Sequence, residues 1–118
     1  MKKILILEDN ISNAEMVSTI FKEEGFETLT LLKADNLNAE IKAFGPDLVL
    51  MDVILEGADG RDLCNMIKVE FSALPVILMT AALLHNIKEI PCNPNAIITK
   101  PFDIYELSKR VAQLAYPQ

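Results

Sequence analysis

The chain reads as an α/β protein, one domain built on a doubly wound parallel sheet of five strands. Three features of the sequence lead there. Short apolar runs alternate with amphipathic segments along the whole chain, which is the pattern of strands joined by helical crossovers. Several runs are continuously apolar rather than alternating, as strands are when helices cover both faces of a sheet. The length, 118 residues, allows one core and not two.

In chain order, "ILIL" at 4–7 opens as the first strand. Ser12-x-x-Glu15 has the form of a capping box, and it predicts a helix presenting Ala14, Val17, Ile20 and Phe21 on one face until Gly25 stops it. A second strand follows at 28–32. Leu37, Ile41 and Phe44 form the stripe of a second helix, which Gly45-Pro46 ends. The third strand is 48–51, and Leu63, Ile67 and Phe71 outline a third helix. After the fourth strand, 76–79, the stretch "AALLHNIKEIPCNPN" leaves room for a short, irregular fourth helix near 82–88 before Pro91 and Pro94 forbid continuation. The fifth strand is 96–99, and Asp103-x-x-Glu106 opens a last helix running through Leu107, Val111 and Leu114. Tyr105 and Leu114 are expected to complete the core rather than form a dimer face. With no repeat, linker or low-complexity tract, residues 1–118 are expected to form a single unit carrying no effector domain or DNA-binding element.

Composition excludes several classes. At 51% hydrophobic and 24% charged residues the chain is not a disordered one. A formal net charge of −6 argues against direct nucleic-acid binding, which requires a basic surface. The longest apolar run, 73–84, is broken by Pro75 and Thr80 and falls short of the roughly 18 residues a membrane span needs. Lys2 and Lys3 precede an apolar run too short for a signal-peptide core, so a cytoplasmic protein without membrane contact is expected. Cys64, Cys92 and the lone His85 have no zinc-site spacing, and both thiols are expected to be reduced.

Right-handed crossovers favour strand order 2-1-3-4-5, in which the first and third strands are neighbours and the chain leaves them in opposite directions. Ligands of such sheets bind at that point, beyond the carboxyl ends of the strands. Glu8 and Asp9 follow the first strand and Asp52 follows the third. Singly, each acid reads as a solvated strand end or a helix cap. Together, three carboxylates at one place call for a cation, and an oxygen-rich, hydrated site suits Mg²⁺. Thr80 ends the fourth strand and Lys100 the fifth; a hydroxyl and an ammonium facing an aspartate and a metal make a cradle for phosphoryl oxygens. Asp52 is then a carboxylate nucleophile that forms an aspartyl phosphate.

These residues give the chain a family likeness over essentially its whole length. With Glu8-Asp9, Asp52 in "LVLMDVILEGADG", Thr80-Ala81 in "VILMTA" and Lys100-Pro101 in "ITKPFD", it resembles the receiver domains of two-component response regulators, of the chemotaxis-regulator kind. The resemblance implies a flavodoxin-like (βα)5 fold. It implies phosphoryl transfer to Asp52 from a sensor histidine kinase or a histidine phosphotransfer protein, and a conformational switch that controls a downstream protein. It further implies Mg²⁺ bound through Asp9, Asp52 and the backbone carbonyl of Ile54, with Glu8 acting through water, and a cis peptide at Lys100-Pro101. Such a domain promotes its own modification and is not an enzyme in the turnover sense.

The chain departs from the family pattern at several positions. Glu8 stands where aspartate is commoner, and Glu56 where proline is usual. Ile97 replaces the usual tyrosine or phenylalanine three residues before Lys100; it is stiff at χ1 and has no ring to swing inward, so it is either sheet core or a mark of an altered output face. Ile54 and Ala82 occupy positions that in the family help place the hydrolytic water, and neither can hydrogen-bond one, which implies a long-lived phosphoryl group. Three rival readings compete with this one. A phosphohydrolase of the haloacid dehalogenase type would need a second aspartate where Ile54 stands. A flavin or nucleotide binder would need a glycine-bearing phosphate loop where "LEDNISN" stands. A receiver-like scaffold working without phosphorylation remains the alternative, because of Ile97 and the broken fourth crossover.

Overall fold

The computed structural model describes residues 2–81, 94–101 and 103–116. In chain order its elements are β1 (Lys3–Leu7), α1 (Ile11–Glu23), β2 (Glu27–Leu31), α2 (Leu37–Phe44), β3 (Leu48–Asp52), β4 (Ile54–Leu55), β5 (Ala58–Asp59), α3 (Gly60–Glu70), β6 (Val76–Thr80), β7 (Ala96–Thr99) and α4 (Ile104–Ala115). The five longer strands form one sheet in the order β2-β1-β3-β6-β7, and every pairing within it is parallel. This is the 2-1-3-4-5 order expected from the sequence. The small antiparallel hairpin β4–β5 was not anticipated.

Alternate residues of each central strand enter opposite cores. Ile4 and Ile6 of β1, Leu48 and Leu50 of β3, and Ile77 and Met79 of β6 pack with Val17 and Phe21 of α1 and Leu107, Val111 and Ala115 of α4. Leu5, Leu7, Val49, Met51, Val76 and Leu78 pack on the other face with Leu37 and Ile41 of α2 and Cys64 and Ile67 of α3. Both faces are therefore dry. That is why β3 and β6 carry no polar residue before their last position, and why Asp52 and Thr80, at those last positions, are the exceptions.

Several local expectations are corrected. The first helix begins at Ile11, and its cap is Asn10, whose side chain accepts from the Asn13 amide; Ser12 lies inside the helix. Asn10 precedes Ser12 and is as good a cap, so the helix starts there. The second strand spans Glu27–Leu31, one residue earlier than expected. Leu114 packs against the core as expected, but Tyr105 is 73% exposed, because it falls off the Leu107–Val111 stripe. Ile97 is 38% exposed on β7 and so is not sheet core. The second helix ends as expected at Gly45, whose φ of 65° closes it. The expected short fourth helix near 82–88, Ala82 and Cys92 lie outside the described residues. Among the described residues no helix is long and apolar enough to cross a membrane.

The start of α3 is fixed by Asp59. Its Oδ1 accepts from the Arg61 amide at 2.8 Å and from Arg61 Nε at 3.0 Å, and its Oδ2 accepts from Arg61 Nη2 at 2.6 Å. The guanidinium hydrogen bonds, opposed by partial burial and helped by the amide and the arginine charge, hold the Asp59 carboxyl below its ordinary 3.8. A depressed carboxyl pKa contributes stability that is present above the unfolded value and lost as pH falls through the folded one. Asp59→Asn keeps a capping oxygen but not the charge. The wild type is expected to melt above this variant near neutral pH, and the gap is expected to close as pH falls below 3.8, as thermal unfolding across an acid series would measure.

Candidate functional site

The carboxyl ends of β1, β3, β6 and β7 meet at one edge of the sheet, and the polar residues at those ends form a single cluster. β1 pairs with β3 as Leu7 with Met51, so Glu8 and Asp52 are the next residues on adjacent strands. The Glu8 amide donates to the Leu31 carbonyl at 3.1 Å, which carries the β1–β2 ladder one step further. The Glu8 side chain is only 1% exposed, and Asp52 and Thr80 are also buried.

Lys100 closes the cluster. Its amide donates to the Thr80 carbonyl at 2.7 Å, and the peptide joining it to Pro101 is cis. Its Nζ donates to Glu8 Oε1 and to Asp52 Oδ2, each at 2.9 Å. Burial works against the ammonium charge, but the hydrogen bonds to Glu8 and Asp52 and the nearness of both carboxylates outweigh it, so Lys100 is held above its ordinary 10.5. The other Asp52 oxygen, Oδ1, accepts from the Ile54 amide at 3.3 Å. Asp9, half-buried at the mouth of the cluster, accepts through Oδ2 from the Glu56 amide at 2.8 Å.

One oxygen from each of Glu8, Asp9 and Asp52 lies within 4.8 Å of the other two. A single ammonium against three carboxylates leaves the cluster negative. Its donors are all oxygens, and its outer member, Asp9, is open to water. That donor set fits a hard divalent cation that keeps part of its hydration, as Mg²⁺ does. Among the described residues it offers no histidine or cysteine ligand for a softer metal.

The structure thus brings together Glu8, Asp9, Asp52 and Lys100, with Thr80 joined to Lys100 through the backbone. The backbone of Ile54, the part of that residue expected at the site, adjoins the cluster through its amide, and Pro101 follows Lys100 through the cis peptide, whereas Ala81 and Ile97 are peripheral. Ile54 leaves its side chain 63% exposed, Ala81 is exposed, and Ile97 lies along β7, outside the carboxylate cluster. Besides the Glu56 amide, sequence reasoning missed two contributors. One is the direct bond between Lys100 and Glu8. The other is Gly60, at the first position of α3: a Cβ there would sit 2.2 Å from the Asp52 carbonyl oxygen and 2.8 Å from Val53 Cα, and the Gly60 amide donates to the Val53 carbonyl at 2.7 Å. Its only signal in the sequence is a glycine at a helix start.

Comparison with known proteins shows the family and the fold. The family profile described as "Response regulator receiver domain" matches residues 4–112. The DNA-binding response regulator MtrA of Mycobacterium tuberculosis is 30% identical over 112 residues, which are 93% of this chain and 49% of that protein; the chain spans about half the length of the curated relatives it matches. Among solved structures, the receiver domain of the Francisella response regulator 1452 superposes with a TM-score of 0.87 at 26% identity, covering 98% of this chain and 97% of that one. The receiver domain of a signal transduction histidine kinase from Syntrophus aciditrophicus gives 0.88 at 28% identity, covering 98% and 90%.

Three substitutions test the architecture of the cluster. Lys100→Met strands two buried carboxylates, and breaking a buried pair in this way is expected to cost about 3 kcal/mol. Adding Glu8→Gln should return part of that loss, with both changes read from urea unfolding midpoints. Gly60→Ala drives a methyl into backbone atoms that cannot swing aside, and a loss of about 1–3 kcal/mol is expected in the same assay.

Proposed function

The chain belongs to the response regulator receiver domain family of two-component systems, and on that premise we propose that Asp52 accepts a phosphoryl group from a sensor histidine kinase or a histidine phosphotransfer protein. The observation that carries this reading is the position of Lys100, 2.9 Å from both Glu8 and Asp52 at the edge where ligands of open α/β sheets bind. The acceptor is buried, oriented and charge-compensated before any donor arrives.

In the step itself an Asp52 carboxylate oxygen forms a new bond to phosphorus while the phosphorus–nitrogen bond of the donor phosphohistidine breaks. The electron pair leaves with the imidazole nitrogen, which takes up a proton. Lys100 pairs with the incoming phosphoryl oxygens, and the Thr80 hydroxyl donates to another. Asp9, Asp52 and the Ile54 backbone carbonyl would hold Mg²⁺, with Glu8 acting through water. The bound ion would offset the negative charge that builds up on the transferring oxygens. The exposed aliphatic side chain of Ile54 offers nothing to orient a hydrolytic water, which supports a persistent phosphoryl group.

Phosphorylation would shift a balance between two arrangements of the loops after β3 and β6. A downstream protein that prefers the phosphorylated arrangement would bind more tightly, by no more than its differential affinity for the two states. We read the domain as a single receiver unit acting in the cytoplasm through protein contacts. It modifies itself rather than turning over a substrate, and it makes no direct contact with nucleic acid or membrane.

Incubation with Mg²⁺ and a small acyl-phosphate donor, followed by intact-mass spectrometry, is expected to show one phosphoryl adduct. The adduct should be absent from Asp52→Asn and from wild-type protein treated with EDTA. An unmodified wild type under these conditions would replace this reading with that of a scaffold working without phosphorylation.

A further inference from the structure

The hairpin between Asp52 and α3 carries a contact that the proposed chemistry does not itself require. The Glu56 amide donates to Asp9 Oδ2 at 2.8 Å, tying positions 47 residues apart in the chain. Glu56 and Gly57 form the two-residue turn between Leu55 and Ala58, which are paired across β4 and β5. Gly57 has φ 76°, and Asn36 is the one non-glycine of positive φ among the described residues. Negative φ at the first turn residue and positive φ at the second fit a type II turn.

We propose that the backbone amide of Glu56 is a positioning group for Asp9, fixing the orientation in which that carboxylate meets Mg²⁺. The proposal rests on the metal site described under Proposed function. Asp9 is half-buried where Glu8 is fully buried, so packing constrains its side chain less and a hydrogen bond has more to fix. Fixing one oxygen with an amide leaves the second oxygen, and a remaining lone pair on the first, free for a cation. The same bond links the β1–α1 loop to the β4–β5 turn, so the loops bearing Asp9 and Ile54 are joined before the ion binds. Carboxylates that ligate metals are commonly held by such outer hydrogen bonds, and losing one weakens the metal. The side chain of Glu56 has no part in this; the donor is the main chain.

That distinction makes the inference testable, because proline is at home in the first position of a type II turn and Leu55, extended in β4, is compatible with a following proline. Glu56→Pro should therefore keep the turn and delete only the N–H, whereas Glu56→Ala keeps the N–H and deletes the charge. Mg²⁺ binding to the full chain would be measured by isothermal titration calorimetry. We expect Glu56→Ala to bind nearly as the wild type does and Glu56→Pro to bind about tenfold more weakly than Glu56→Ala, the lower end of the range for lost outer hydrogen bonds. Equal affinities in the two variants would overturn the inference while leaving the metal site standing. A wild type that takes up no Mg²⁺ would instead overturn the metal site and this inference with it. Should Glu56→Pro fail to fold, amide exchange in ¹⁵N-labelled protein decides: the Glu56 amide should be protected in the wild type and exchange fast in Asp9→Ala, and identical exchange in the two would overturn the proposal.

Discussion

Lys100 brings one positive charge to a place where the strand ends have gathered three negative ones. Its ammonium bridges Glu8 and Asp52, and much of the rest of the molecule can be understood as what is needed to hold it there. A buried carboxylate is costly unless it is paired and hydrogen-bonded. Pairing two with one ammonium requires β1, β3 and β7 to end at the same level, and the parallel ladders supply that level. The sheet is covered on both faces by the apolar sides of its helices, and Glu8 and Asp52 are buried at its edge.

This arrangement explains which parts could be read from sequence. Asp52 could be found because a carboxylate ends an otherwise apolar run, and Glu8 and Asp9 because they end another. The topology rule for parallel sheets puts the two runs side by side. Lys100 was found by the same logic. The contributions of Gly60 and the Glu56 amide could not be found this way. Every residue but proline has an amide, so nothing in the chain marks the one that matters, and a glycine records a missing side chain without naming the backbone that fills its place. The first helix cap was misread for a related reason: Asn10 and Ser12 are comparable caps, and the choice depends on where the chain leaves β1. Tyr105 is exposed because an aromatic next to a core stripe in sequence need not lie on it.

The segment from Asp52 to Gly60 is tied down at both of its ends and once in its middle. The Ile54 amide turns back to Asp52, the Glu56 amide reaches Asp9, and the Gly60 amide closes onto Val53. The Asp52 carboxylate itself meets the Lys100 ammonium and the Ile54 amide, while the Glu56 and Gly60 amides hold the rest of the segment.

One consequence follows from the two dry faces of the sheet. In a sheet with one wet face, sliding a strand by a single residue turns its apolar side to water, and the pattern alone forbids the error. Here the β1 residues Ile4 and Ile6 face one core and Leu5 and Leu7 the other, so a slipped β1 would still bury aliphatic side chains on both sides. What it could not do is keep Glu8 level with Asp52 and within reach of Lys100. The charged residues that suit this edge for chemistry thus also serve as alignment marks for the strands, and a variant that neutralised all of them would lose a reason for its sheet to settle in a single register.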